Sequence, residues 1–255
     1  RQTAFPQAPS FYQLRAMGSH IGNPLRQRIL LSFVNPHRHP PCFDVASPHF
    51  LPVIGLVGGV GSGKSSIANH LSSRRSIVVL DGDAVGHRVL EEVGIKDQIR
   101  QVFGDLVLNH CGEIDRSRLG SRVFGDSPQQ QQARKELETL VHPRIRAVLS
   151  EQIDRVRQLG TDEAIFLDAA VLFEAGWNEL CDSIVFVDTP LSTRRQRVAD
   201  SRGWSEETLS KRESSQWPLE RKRQHANWTI DNSNSLDDAA GQLEQILNAI
   251  HKQDS

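Results

Sequence analysis

The run Val53-Ile54-Gly55-Leu56-Val57-Gly58-Gly59-Val60-Gly61-Ser62-Gly63-Lys64-Ser65-Ser66 constrains this 255-residue chain more than any other stretch. An apolar segment feeds a glycine-rich turn that ends in Lys-Ser, and Ile67, Ala68 and Leu71 continue at helical spacing. Residues 58–65 fit G-x-x-x-x-G-K-[ST], the P-loop that cradles phosphates. Glycines let successive backbone N–H groups point at phosphate oxygens, and the following helix adds the positive end of its dipole. The expected nucleotide contacts are Gly59, Val60, Gly61, Ser62, Gly63, Lys64, Ser65 and Ser66, with Lys64 on the β/γ-phosphates and the Ser65 hydroxyl on Mg²⁺. A flexible Gly/Ser linker would share the letters. The apolar run 53–57 before it instead suits a central parallel strand. The motif points to nucleotide binding and leaves the reaction open.

Further apolar runs lie at 77–80, 164–167 and 184–187, with a weaker one at 228–230. Helical patterns intervene, which predicts an α/β fold: a five-stranded parallel sheet flanked by helices on both faces. Ligands in such sheets sit beyond the carboxyl ends of the strands, where three runs end in Asp81, Asp168 and Asp188. The gap between the second and third runs is too long for a simple crossover and reads as a helical substrate-binding insertion over about 84–160. Within it Pro128 is placed to open a helix, and His142-Pro143 is expected to break that helix before another runs to about 159.

Residues 51–255 thus form the folded unit. Residues 1–50 hold seven of the twelve prolines and five arginines against one acid, Asp44, with no regular period, and are expected to be a disordered extension. His37, His39 and Cys42 there lack a closing ligand set and read as chance clustering. An arginine-rich, acid-poor start also resembles a transit peptide; because the chain does not begin with Met, an overextended or incomplete N-terminus is expected instead. The formal charge of −1 gives no general drive toward nucleic acid or anionic membrane, and no apolar run is long enough to span a bilayer as a helix. Cys42, Cys111 and Cys181 are scattered without a C-x-x-C pair, which indicates neither a disulfide framework nor a zinc ribbon and fits a cytoplasmic setting.

Beyond the P-loop, Asp81-Gly82-Asp83 follows the second strand, on the acceptor side of a transferred phosphate. Asp83 could orient an attacking hydroxyl and accept its proton, or cap the next helix; Asp81 reads as structural. Asp168 resembles a Walker-B acid that organises Mg²⁺, or is a turn residue. Asp188 has a weaker claim. In the basic run 194–202, Arg197 suits a lid that neutralises transition-state charge, while Arg194 and Arg195 read as surface. His142, with Arg144 and Arg146 beside it, is either a hydrogen-bonded structural histidine or part of a site for an anionic group.

Taken together these segments resemble the dephospho-coenzyme A kinase family over roughly 54–247. The family's opening run appears as residues 55–65, its D-[AG]-D as Asp81-Gly82-Asp83 with His87-Arg88-Val89, and its L-x-x-[IL]-[VL]-H-P-x-[IV]-R as residues 137–146. Its D-[IV]-P-L-L-[FY]-E-x-G is Asp168-Ala169-Ala170-Val171-Leu172-Phe173-Glu174-Ala175-Gly176, and its late Q-x-P-x-x-x-K and I-x-N-x-x-[ST] fall at 216–222 and 230–235. The resemblance implies ATP- and Mg²⁺-dependent phosphorylation of the ribose 3′-hydroxyl of dephospho-CoA, the last step of coenzyme A biosynthesis. It makes Asp83 the base, places Arg197 in a lid over about 191–225, puts His142 and Arg146 at the acceptor, and brings Asn232 toward the adenine. Ala170, Val57 and Asn227 depart from the family's usual proline, threonine and acid. The competing readings are another small-molecule P-loop kinase and a catalytically silent nucleotide-binding protein; no N-K-x-D guanine motif supports a GTPase.

Overall fold

The computed structural model describes residues 51–125 and 127–253; the extension expected over 1–50, with its histidines and Cys42, lies outside them. Five strands, β1 (Val53–Gly58), β2 (Ile77–Asp81), β3 (Ala164–Asp168), β4 (Ser183–Asp188) and β5 (Trp228–Asp231), coincide with the five apolar runs. They form one sheet in the order β2-β3-β1-β4-β5, with every pairing parallel. β1 and β3 are buried along their whole length, as strands covered on both faces must be.

Alternation along β1 divides the core. Ile54 and Leu56 join α1 (Lys64–Ser72) and the C-terminal α9 (Leu236–Gln253) on one face. Val53 and Val57 join the other face, packed by α2 (Gly82–Val89), α3 (Val93–Phe103), α4 (Arg116–Val123) and α5 (Pro128–Leu159). These last four helices fill the predicted insertion. Gly55 lets Leu172 and Cys181 approach β1, since a Cβ there would lie 2.8 and 2.9 Å from their side chains. Burial, with Asp182 adding to it, pushes the Cys181 thiol up to about 12, so it behaves as a packing residue, whereas Cys111 is exposed.

The expected break at His142-Pro143 does not occur. α5 is one 32-residue helix with Pro143 inside it. Val141, Ile145, Leu149 and Ile153 form a buried stripe that stays in phase across the proline. A break would lift one half of that stripe off the core. Each buried side chain contributes on the order of 1.5–3 kcal/mol, which together outweighs the roughly 3 kcal/mol cost of an interior proline. Three further helices, α6 (Leu191–Arg202), α7 (Glu206–Ser214) and α8 (Leu219–Gln224), occupy the span expected for a lid.

Candidate active site

The P-loop joins the end of β1 to α1, in the middle of the sheet. Gly63 is the N-cap of α1, at φ 88° and ψ 14°, and supplies no side-chain cap. The first-turn amides of a helix have no intrahelical acceptor, and here the cap offers them no side-chain oxygen, an arrangement that suits an external anion. By contrast Asp81, Asp115, Ser127 and Ser205 cap α2, α4, α5 and α7 with their own oxygens. A side chain at Gly63 would also come within 2.6 Å of Asn232 Nδ2.

Three elements hold the loop from behind by donating to one acceptor, the Ser62 carbonyl. Thr189 Oγ1 lies 3.0 Å away, Arg197 Nη1 3.3 Å and Asn232 Nδ2 2.7 Å. Asn232 is buried, and its amide nitrogen is engaged by the loop backbone. Arg194, read from the sequence as surface, is buried and part of the same support. It pairs with Glu213, donates to Thr189 O at 3.2 Å and lies 3.4 Å from Val60 O. Glu213 in turn accepts from Val60 N at 3.2 Å. Gly59 admits the guanidinium, because a Cβ there would lie 2.7 Å from Arg194 Nη1. No local pattern separated Arg194 from the solvated Arg195, which pairs with Glu206 at the surface.

At the mouth of the loop, Lys64 Nζ lies 3.3 Å from Gly59 O and 3.5 Å from Gly58 O. Burial lowers the Lys64 pKa and Asp168 opposes that shift. Asp168, at the end of β3, accepts a hydrogen bond from Ser65 Oγ. Desolvation raises its carboxyl above the usual range, while Lys64 and the Ser65 bond pull the other way. The hydroxyl and carboxylate expected to hold a metal therefore meet. A hydroxyl and a carboxylate oxygen are donors of the kind Mg²⁺ takes alongside phosphate oxygens and water.

Asp81, and not Asp83, caps α2: its side chain accepts from Ala84 N at 2.9 Å. Asp83, in the same first turn, makes no side-chain hydrogen bond among the described residues. It is solvent-accessible, yet desolvation by the protein packed around it comes first in raising its pKa, with Asp81 and Asp168 adding to the rise.

The insertion approaches this corner through Trp177. A Cβ on Gly82 would lie 3.3 Å from the Trp177 ring, and His142 meets the same indole edge-on with centroids 5.5 Å apart. Burial lowers the His142 pKa, against a weaker pull from Glu174, which favours the neutral imidazole. Arg146 is exposed and bonds Glu179 at 2.7 Å, while Arg144 bonds Glu92 at 2.7 Å. Asp188 is engaged structurally: it pairs with Arg223 at 2.6 Å and its carbonyl accepts from Asn232 N.

Sequence reading assigned no role to Lys222, which is almost wholly buried. Its ammonium lies 2.9 Å from Ala170 O, 3.0 Å from Gln216 Oε1 and 3.0 Å from Glu174 Oε1. Glu174 also accepts from Trp217 N at 2.6 Å. The signal was present in the two family segments that contain these residues, but only the fold shows that they meet. The departures are accommodated: Ala170 keeps its carbonyl on Lys222, Val57 is core, and Asn227 Oδ1 accepts from Ile184 N at 2.8 Å.

A family model described as dephospho-CoA kinase matches residues 52–238. The chain belongs to the dephospho-CoA kinase family. A curated dephospho-CoA kinase of Bacillus licheniformis is 33% identical over 196 residues, covering 76% of this chain and 94% of that protein. One from Thermus thermophilus is 35% identical over 198 residues, covering 78% and 89%. Among solved structures, TT1252 from Thermus thermophilus is 34% identical with a TM-score of 0.66, covering 78% of this chain and 97% of that one. Dephospho-CoA kinase from Campylobacter jejuni, 23% identical at TM-score 0.51, shares the fold over 79% and 98%. As a member of the dephospho-CoA kinase family, the chain is an ATP-using phosphotransferase of the last step of coenzyme A biosynthesis.

Proposed function

We propose that the chain transfers the γ-phosphoryl group of ATP to the ribose 3′-hydroxyl of dephospho-CoA, with Asp83 as the acceptor-side base. The observation that carries the reading is the division of labour at the end of β2. Asp81 makes the capping bond, which leaves the Asp83 carboxylate without a hydrogen bond among the described residues and near enough to Lys64 to feel its charge. Family membership supplies the substrate.

In this reading the open amides of α1 and the Lys64 ammonium bind the donor phosphates, and Lys64 leaves its loop carbonyls to do so. Asp83 accepts the hydrogen bond of the attacking hydroxyl, holds it in line, and takes its proton as the new bond forms. Ser65 and Asp168 would hold Mg²⁺, which when bound neutralises charge on the donor phosphates. Arg197, which donates to the Ser62 carbonyl, turns its guanidinium toward the transferred group. Helices α6–α8 form the lid, and α2–α5 form the acceptor side with His142 and Arg146. Asn232 contributes to the nucleotide site by bracing the loop, and the setting is the cytoplasm.

The test is purified protein with Mg-ATP and dephospho-CoA, following ADP and CoA together. Stoichiometric formation of both is expected. Folded protein that gives no CoA, or that prefers a nucleoside or sugar in a substrate panel, would reject the reading.

A further inference from the structure

Two arginines stand apart from the other cations of the α6–α7 hairpin. Arg197 donates to the Ser62 carbonyl, and Arg194 and Arg195 each have a carboxylate, Glu213 and Glu206. Arg202 and Arg212 have none among the described residues; each is held against aromatic rings instead. The Arg202 guanidinium lies 4.8 Å from the Trp204 ring centroid, and that of Arg212 lies 5.5 Å from the same ring. Arg212 also lies 4.5 Å from the ring of Phe124, at the end of α4. Two like charges thus share one indole with no counter-charge.

Their position is set by contacts to the P-loop support and to the helical insertion. Arg212 is adjacent in sequence to Glu213, whose carboxylate is bonded to the P-loop at Val60 N. Phe124, on the other side of Arg212, belongs to the helical insertion. Arg202 is near enough to Lys64 for its charge to help lower that lysine's pKa. Burial and Arg202 together make the Arg212 cation less favourable than it is in water. A ring face fixes a guanidinium plane while its edge keeps several N–H donors outward, a geometry that suits phosphate oxygens.

We propose that Arg202 and Arg212 seat the diphosphate of the acceptor. The inference rests on the reading that the acceptor is dephospho-CoA, which carries a diphosphate between its nucleoside and its pantetheine arm. The donor phosphates have their own ligands in the α1 amides, Lys64 and Arg197. Arg212 is anchored to Phe124 of the insertion, on the acceptor's side. An acceptor diphosphate also supplies the negative charge that this pair lacks.

Calorimetry of Arg212→Ala and Arg202→Ala, titrated separately with ATP, dephospho-CoA and adenosine, tests the assignment. Loss of charge-assisted hydrogen bonds should weaken dephospho-CoA about 10- to 100-fold. ATP affinity should stay within about twofold, and adenosine, which has no diphosphate, should bind variant and wild type alike. Unchanged dephospho-CoA affinity overturns the proposal. So does an equal or larger loss for ATP in a variant whose circular dichroism is unaltered, because that would place the pair on the donor. If Arg212→Ala does not fold, Arg202→Ala, exposed at the end of α6, carries the same comparison. Wild-type protein that binds ATP but not dephospho-CoA would instead defeat the substrate assignment itself.

Discussion

Asp81 and Asp83 have the same chemistry and sit two residues apart, but the start of α2 between them gives them different roles. The first is consumed by a backbone amide, and the second makes no hydrogen bond among the described residues, which is what the proposed base requires. Asp83→Asn is therefore expected to lower kcat about 100- to 10,000-fold while the ATP KM stays within about twofold, measured by coupled assay. Collapse of ATP affinity in that variant would make Asp83 structural. The raised Asp83 pKa fixes two signs. A base must be ionised, so kcat should fall as pH drops through a value above the ordinary aspartate range. The folded state also holds this proton more tightly than the unfolded chain does. Stability contributed by Asp83 is thus lost as pH rises from the ordinary value through the raised one. Asp83→Asn should accordingly unfold at slightly higher urea than wild type at pH 7, and an unchanged or lower midpoint would contradict the desolvation argument. At this scale the sequence pointed to Lys64, Ser65, Asp83 and Asp168 through motif and strand end, and the structure gathers them: Ser65 bonds Asp168, and both carboxylates act on the Lys64 charge. The sequence could not disclose Arg194, whose partner lies 19 residues away on another helix.

Among the elements, the strands were legible and the helix boundaries less so. Five apolar runs became five strands because a strand buried on both faces needs continuous apolar residues. Helix α5 was misread because a local rule about proline met a longer-range one about the buried stripe. The ring of Pro143 is exposed, so its removal loses little packing. Pro143→Ala should restore a donor to the Thr139 carbonyl and stabilise the protein by about 1–3 kcal/mol, read from urea unfolding. If the proline's local geometry sets the angle of His142 on Trp177, the same variant should raise the dephospho-CoA KM and leave that of ATP alone. A less stable variant would mean that the proline at 143 is itself required by the packing of α5.

Across the whole molecule, one buried ion pair joins segments that no local reading connects. Lys222 on α8 reaches the loop after β3 through Glu174 and the Ala170 carbonyl, tying the end of the expected lid to the sheet. Removing one member of such a pair strands the other, at a cost of about 3–5 kcal/mol. Lys222→Ala should therefore lower the thermal midpoint sharply, measured by calorimetry. A change within error would show that water reaches Glu174 readily.

The order of the sheet also governs when the site can exist. β1 emerges first, but its neighbours are β3 and β4, more than a hundred residues later in the chain. Pairings of such separation close slowly. The P-loop has its motif by residue 65, yet its brace at Ser62 is complete only when Asn232 arrives. A growing chain would carry the phosphate-binding letters for most of its synthesis without a rigid phosphate site. Competence for ATP would come almost at the end, together with the last strand.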